Sequence, residues 1–178
     1  MRRRDWLLGL AGLALWPATA LATATAAAAR LDAPGGGLKR WGSGEFRRFG
    51  FLIYEATRWA GGRDPLQPPL ALALTYKRNL SGKRIAEASV NEMRNLDSAD
   101  ESRLQNWGLR MAQIFPDVQP EERIVGLYLA EGARFFHNDR PLGHIDDPAF
   151  ARAFFGIWLD ARTSAPELRA ALLKPVAD

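Results

Sequence analysis

Leu70-Ala71-Leu72-Ala73-Leu74-Thr75-Tyr76-Lys77-Arg78-Asn79-Leu80-Ser81 is where the chain declares its fold. Up to residue 78 it alternates with period two: Leu70, Leu72, Leu74, Tyr76 and Arg78 share one face, with Ala71, Ala73, Thr75 and Lys77 opposite. Successive side chains of a β-strand point to opposite sides, so this is a strand with a leucine face. From Ser81 the period lengthens. Ile85, Ser89, Met93 and Leu96, joined by Ala86 and Val90, recur at helical spacing with charged residues between them. A strand thus hands over directly to an amphipathic helix.

Working upstream, Gly44–Trp59 alternates in part. Phe49, Phe51 and Ile53 fall on one face and Leu52, Tyr54 and Ala56 on the other, which predicts a single strand covered on both sides. Gly61-Gly62-Arg63-Asp64-Pro65 and Pro68-Pro69 break the pattern before residue 70. Downstream, Ser98-x-x-Glu101 predicts a capping box for a second helix that buries Leu104, Trp107, Met111, Ile114 and Phe115 and stops before Pro116. Strands are expected over Arg123–Ala130, Ala133–His137 and Leu142–Ile145, with turns at Glu131-Gly132 and Asn138–Pro141. Asp146 or Asp147 caps a helix with Pro148 at its start and Phe150, Phe154, Ile157 and Trp158 on its buried face. Ser164-Ala165-Pro166-Glu167 predicts another capping box, opening a last helix with Leu168, Ala171 and Leu172 inward. Hairpin-joined strands and paired helices indicate an α+β fold, a large antiparallel sheet with a layer of helices on one face.

The 178 residues carry 24 basic and 20 acidic side chains, a formal net charge of +4, and no cysteine. Disulfides and thiolate chemistry are therefore excluded. Part of the positive charge belongs to a leader. Arg2, Arg3 and Arg4 precede the apolar run Trp6–Leu15 and an Ala/Thr-rich stretch with Ala20-Leu21-Ala22, which predicts a signal peptide over 1–29. Arg3-Arg4-Asp5-Trp6-Leu7-Leu8 resembles a twin-arginine signal. A flexible lead-in follows over 30–37 and a folded domain over 38–176, with the protein periplasmic or secreted and keeping no membrane span after cleavage. Setting aside three arginines and one aspartate leaves 21 basic and 19 acidic residues, a net +2 with no basic stripe. Nucleic acid is not an expected partner.

Glycine-rich phosphate loops, nucleophile elbows and dinucleotide fingerprints are missing, so no cofactor is indicated. His137 and His144 flank a turn and read as surface imidazoles rather than metal ligands. The arginines are more informative. Arg40, Arg47 and Arg48 flank the aromatic strand, and Tyr76 and Arg78 lie on the leucine face. A guanidinium turned into an apolar cleft needs an anion, from the protein or from a ligand. Tyr54 and Tyr76 add hydroxyl donors. Arg40, Arg47, Tyr54, Tyr76 and Arg78 are thus the candidate ligand-binding residues.

Gly44–Tyr54, Leu70–Ser81, Phe115-Pro116-Asp117-Val118 with Arg123-Ile124, and Leu142-Gly143-x-Ile145-x-Asp147-Pro148-x-Phe150 running into Phe154–Leu159 resemble the bacterial chalcone isomerase-like family. Thr163-Ser164, Leu168-Arg169 and Leu172-Leu173 continue the likeness, which spans about residues 38–173. The resemblance implies a ligand cleft between a large antiparallel sheet and a helical layer. In plant chalcone isomerases an arginine steadies the anion while a tyrosine and a threonine polarise the carbonyl through water. By that likeness the arginine falls near Arg40, the candidate catalytic residue, with a gap of roughly three residues. The threonine position falls on Phe49 and the tyrosine position on Ile85, so both hydroxyls are replaced. The fold also includes fatty-acid-binding relatives. The expected function is binding of a small apolar or amphiphilic anion such as a fatty acid, with Phe49, Phe51, Leu70, Leu72 and Leu74 as apolar walls. An isomerase, an intramolecular lyase of chalcone–flavanone type acting on a phenolic or enone compound, is the alternative, which leaves open whether the protein is an enzyme.

Overall fold

The leucine ladder and the aromatic segments before and after it assemble into one antiparallel sheet. The computed structural model describes residues 38–175; the expected leader over 1–29 and lead-in over 30–37 lie outside the described residues. The sheet is formed by β1 (Lys39–Arg48), β2 (Phe51–Ala60), β3 (Leu70–Tyr76), β4 (Arg123–Leu129), β5 (Gly132–His137) and β6 (Arg140–Ile145). The strands lie side by side in chain order. Between β3 and β4 the chain makes α1 (Gly82–Asn95) and α2 (Glu101–Ile114), and after β6 it makes α3 (Pro148–Leu159) and α4 (Pro166–Leu173). The α+β class, with helices over one sheet face, is therefore the architecture. Among the described residues no helix is long and apolar enough to cross a membrane.

Leu70, Leu72 and Leu74 sit under the helices, packed with Trp107, Phe135, Phe150 and Phe155 in one core. Ala71 and Ala73, on the other face, join Leu38, Val125 and Leu127 in a smaller apolar cluster. The even–odd split of residues 70–74 is thus the split between the two faces. α4 lies along β1, where the Trp41 indole donates to the Leu173 carbonyl oxygen at 2.9 Å.

The segment 44–59 is not one strand. It bends back at Phe49 and Gly50, whose φ angles of 51° and 80° make a two-residue hairpin turn, and Phe46 faces Tyr54 across it. Alternation carries on through both strands, and the turn lacks the Asn-Gly signal, so the pattern conceals the break. The expectation of a strand covered on both sides fails at the same place, because Phe49 and Phe51 are exposed.

Two caps also move. Asp100, not Ser98, caps α2, accepting from the Arg103 amide at 2.9 Å, while Glu101 is held by Arg94 at 2.8 and 2.9 Å. Ser164 does not cap α4; its hydroxyl donates to Glu92 instead. A capping box is a local preference, and a nearby tertiary partner outbids it.

Of the two candidate aspartates it is Asp147 that caps α3, accepting from Ala149 at 2.9 Å and Phe150 at 3.2 Å, and it also accepts from the Trp107 indole at 3.0 Å. One carboxylate thus fastens α2 to α3. Partial burial works to raise its pKa, but the hydrogen bonds from Trp107, Phe150 and Ala149 prevail and hold it below the usual carboxylate range. Asp147→Ala should cost about 2–3 kcal/mol in a urea melt at pH 7, roughly half from the cap and half from the orphaned indole. A depressed folded pKa stabilises above the unfolded value of about 3.9 and is lost as pH falls through the folded value. The gap between parent and variant should therefore be full at pH 7 and shrink in acid; a gap that widened in acid would contradict the assignment.

Candidate functional site

Cross-strand register lines up Phe46, Tyr54 and Tyr76 on the helix-facing side of β1, β2 and β3. The Phe46 and Tyr54 rings stack at 4.9 Å, and Tyr76 meets Tyr54 edge-on at 5.9 Å. Together with Leu74 and Ile124 they floor a cavity of about 290 Å³. α1 roofs it with Arg84, Ile85, Ala88, Ser89 and Glu92, which fall on one helical face because they recur three and four residues apart. Phe115 with Phe154, Ile157 and Trp158 of α3 forms the apolar wall, and Ser164 and Ala165 complete the rim.

The polar groups divide between the two ends. Arg84 and Glu92 are eight residues apart on α1, about 12 Å at 1.5 Å per residue. Arg48 joins Arg84 in the lining, and among the described residues neither pairs with a carboxylate. Glu92 accepts from the Ser164 hydroxyl at 2.6 Å. Between these ends, the Tyr54 hydroxyl accepts from the Trp158 indole at 2.9 Å, which leaves its own proton to donate. Burial pushes the Tyr54 pKa far above its ordinary value; the Trp158 hydrogen bond opposes this and the charge of Glu92 adds to it. Burial, reinforced by Tyr54, does the same to Tyr76. Both phenols are therefore neutral donors rather than acids or bases at ordinary pH. The arrangement can hold an amphiphile: cations for an anionic head, hydroxyls for a carbonyl or carboxylate oxygen, and aromatic and aliphatic walls for the rest.

Of the five residues expected to bind a ligand, the cavity takes Tyr54 and Tyr76. Arg40, Arg47 and Arg78 lie outside its lining. Arg40 is at the far end of β1, opposite Trp59, with its guanidinium 3.4 Å from the Ser43 hydroxyl. Arg47 is exposed and paired with Glu45 at 2.7 Å. Arg78 lies past the end of β3, over the Phe51 ring at 4.4 Å. The cavity's arginines are instead Arg48, which carries the next side chain after Arg47, and Arg84. Of the expected apolar walls only Leu74 lines the cavity; Leu70 and Leu72 are core, and Phe49 and Phe51 stand in solvent. Ile85, at the position matching the family tyrosine, does line it. The helical period of residues 84–92 was the available signal for Arg84 and Glu92.

One arginine does turn into the interior, at a position the sequence did not mark. Arg58 is fully buried, donates from Nη2 to the Asp64 carbonyl at 3.0 Å and lies 5.4 Å from the Trp41 ring centre, while among the described residues its Nε and Nη1 meet no hydrogen-bond partner. Its guanidinium is met by a carbonyl and an aromatic face, and the nearby Asp64 charge favours it without forming an ion pair among the described residues. A second, more open hollow of about 490 Å³ lies between Asp64–Pro68, Tyr128, Arg152 and Leu159–Ala161. There two aspartates, Asp64 and Asp160, accompany one arginine, Arg152, whereas the lining of the first cavity holds two arginines and one carboxylate. His137 and His144 approach different carboxylates, Glu122 and Asp146, each at 3.3 Å.

A family model described as chalcone isomerase-like matches residues 61–174. A Haemophilus influenzae protein described as uncharacterized is 32% identical over 105 residues, which cover 59% of this chain and 52% of that protein. The chain thus spans about half the length of the curated relative it matches. Among solved structures, a fatty-acid binding protein of Arabidopsis thaliana superposes with a TM-score of 0.59 over 78% of this chain and 88% of its own, at 11% identity. At that identity the likeness is one of fold.

Proposed function

The chain belongs to the chalcone isomerase-like family, and from that premise we propose that it is an exported protein, periplasmic or secreted, that binds a small amphiphilic anion of the fatty-acid class in the cavity under α1. The observation that carries this reading is the cavity itself, with Arg48 and Arg84, which meet no carboxylate among the described residues, and with apolar walls at Leu74, Ile124, Phe115, Phe154 and Ile157. A carboxylate at the arginines leaves its chain to lie along those walls, where each buried methylene contributes about 0.8 kcal/mol. At about 290 Å³ the cavity is at the low end of ligand pockets, which run from roughly 300 to 1,000 Å³. A medium-length chain suits it better than a long one. The solved fatty-acid binding neighbour supports the fold of this reading, and the leader-like residues 1–29 support export.

Native mass spectrometry of protein purified from its source should reveal a co-purifying amphiphile. Calorimetry should show medium-chain fatty acids binding more tightly than long-chain ones. Arg84→Gln should weaken the carboxylate about tenfold, the value of one charge-assisted hydrogen bond, while leaving binding of the matching alcohol unchanged. A consistently empty protein that takes up no fatty acid would overturn the reading.

The intramolecular-lyase alternative rests on a separate observation. Tyr54 and Tyr76 return two hydroxyl donors to the cavity, although the positions matching the family threonine and tyrosine hold Phe49 and Ile85. Neutral phenols beside an arginine can stabilise a developing enolate. Consumption of a chalcone above its spontaneous rate, removed by Tyr54→Phe, would favour this alternative.

A further inference from the structure

A two-residue hairpin turn of type I′ requires positive φ at both central positions, and Asn-Gly meets that requirement with least strain. Between β1 and β2 the first position is Phe49, at φ 51°, followed by Gly50 at 80°. A bulky residue in the left-handed region is strained. No burial of the ring offsets that strain, since Phe49 is 88% exposed. Phe51 on the other side of the turn is 57% exposed, and together with Leu109 these are the large hydrophobic side chains that the described residues leave in solvent.

Cations collar the two rings. The Arg48 guanidinium lies 5.5 Å from the Phe49 ring centre and that of Arg78 4.4 Å from Phe51. Arg47 sits beside them, paired with Glu45. Like Arg48, Arg78 meets no carboxylate among the described residues. A strained, exposed aromatic apex with free arginines behind it has no job in holding the sheet together.

We propose that the Phe49–Phe51 hairpin tip inserts into an anionic lipid surface. The rings would enter the boundary between headgroups and acyl chains, where aromatic side chains concentrate. The arginines behind them would meet lipid phosphates, attracted by the negative surface potential. A tip two side chains wide forms no shaped groove that a folded partner could fill, whereas a fluid surface needs none. Arg48 belongs both to the tip and to the cavity lining, so docking brings the cavity rim to the lipid. The tip stands independently of what the cavity binds.

The absence of cysteine from the chain makes a local test possible. Phe49→Cys in the full chain, labelled with an environment-sensitive fluorophore, reports on the tip alone; Leu109→Cys, labelled alike, is the control. Vesicles of phosphatidylcholine with roughly one third phosphatidylglycerol should shift the Phe49 label to the blue, with high salt reversing it. Pure phosphatidylcholine should shift it little, and the Leu109 label should stay unchanged. In the Phe49-labelled chain, Phe51→Ser should raise the lipid concentration for half-maximal shift about tenfold, and Arg78→Gln about fivefold. Because Phe49 is exposed, the labelled chain should keep the parent melting temperature. No shift at Phe49, or an equal shift at Leu109, would overturn the proposal. A shift given equally by polyglutamate would assign the tip to an acidic protein partner instead.

Discussion

Replacing Gly82 with alanine should cost about 3 kcal/mol or more and take the cavity with it. Gly82 opens α1, directly against the turn at Phe115-Pro116. A Cβ there would overlap the Phe115 carbonyl oxygen, with the Phe115 carbonyl carbon at 2.6 Å and the Pro116 carbonyl carbon at 2.9 Å. These are backbone atoms, so no rotamer change relieves the clash. Nor can the two segments move apart freely. Leu80 and Val118 exchange both backbone hydrogen bonds at 2.8 and 3.0 Å, and the Gly82 amide donates to the Asp117 carboxylate at 2.9 Å. Phe115, the residue struck, lines the cavity and packs edge-on against Phe135 at 5.0 Å. Urea denaturation should show the loss, with ligand affinity falling in parallel. A midpoint equal to the parent's would mean that α1 does not start where Gly82 places it.

Ala88→Trp should have the opposite profile, nearly full stability and lost binding. Ala88 faces the cavity from α1 yet is solvent-exposed itself, so a larger side chain has room to enter the cavity without displacing core. Stability should stay within about 0.5 kcal/mol of the parent, as for other exposed substitutions. If the indole displaces about four methylenes of a bound chain, the loss is about 3 kcal/mol, or roughly a hundredfold in affinity. Displacement of a fluorescent fatty acid measures it. Unchanged affinity would place the ligand outside this cavity and make the open hollow beside Arg152 the next site to test.

These two variants separate what holds the site from what occupies it, and the same division runs through the sequence. Leu70, Leu72 and Leu74 announced a strand with one heavy face, and that face is the one under the helices. Tyr54 and Tyr76 were legible as cavity residues because both alternate with known core neighbours. Each lies two residues from a buried position, Ala56 and Leu74, on its own strand. The arginines were not legible in this way. Arg40, Arg47 and Arg78 flank the same strands, but their destinations depend on the hairpin turn, on the irregular register between Phe46 and Arg47, and on β3 ending at Tyr76. A register irregularity resets the parity by which faces are read.

What the sequence by itself determined is the α+β class, the order of the elements from β3 onward and the apolar faces of β3 and the helices. Those properties follow from local periodicity, which is written into consecutive residues. Only the tertiary structure decided which charges meet in the cavity. Arg48 on a strand and Arg84 and Glu92 on a helix become neighbours of Tyr54 through the way α1 lies across the sheet. That placement is set by contacts distant in sequence, such as the Phe115 backbone against Gly82 and the Ser164 hydroxyl on Glu92. No periodicity encodes a contact between two elements, so the cavity's charged ends emerge only when the layers pack.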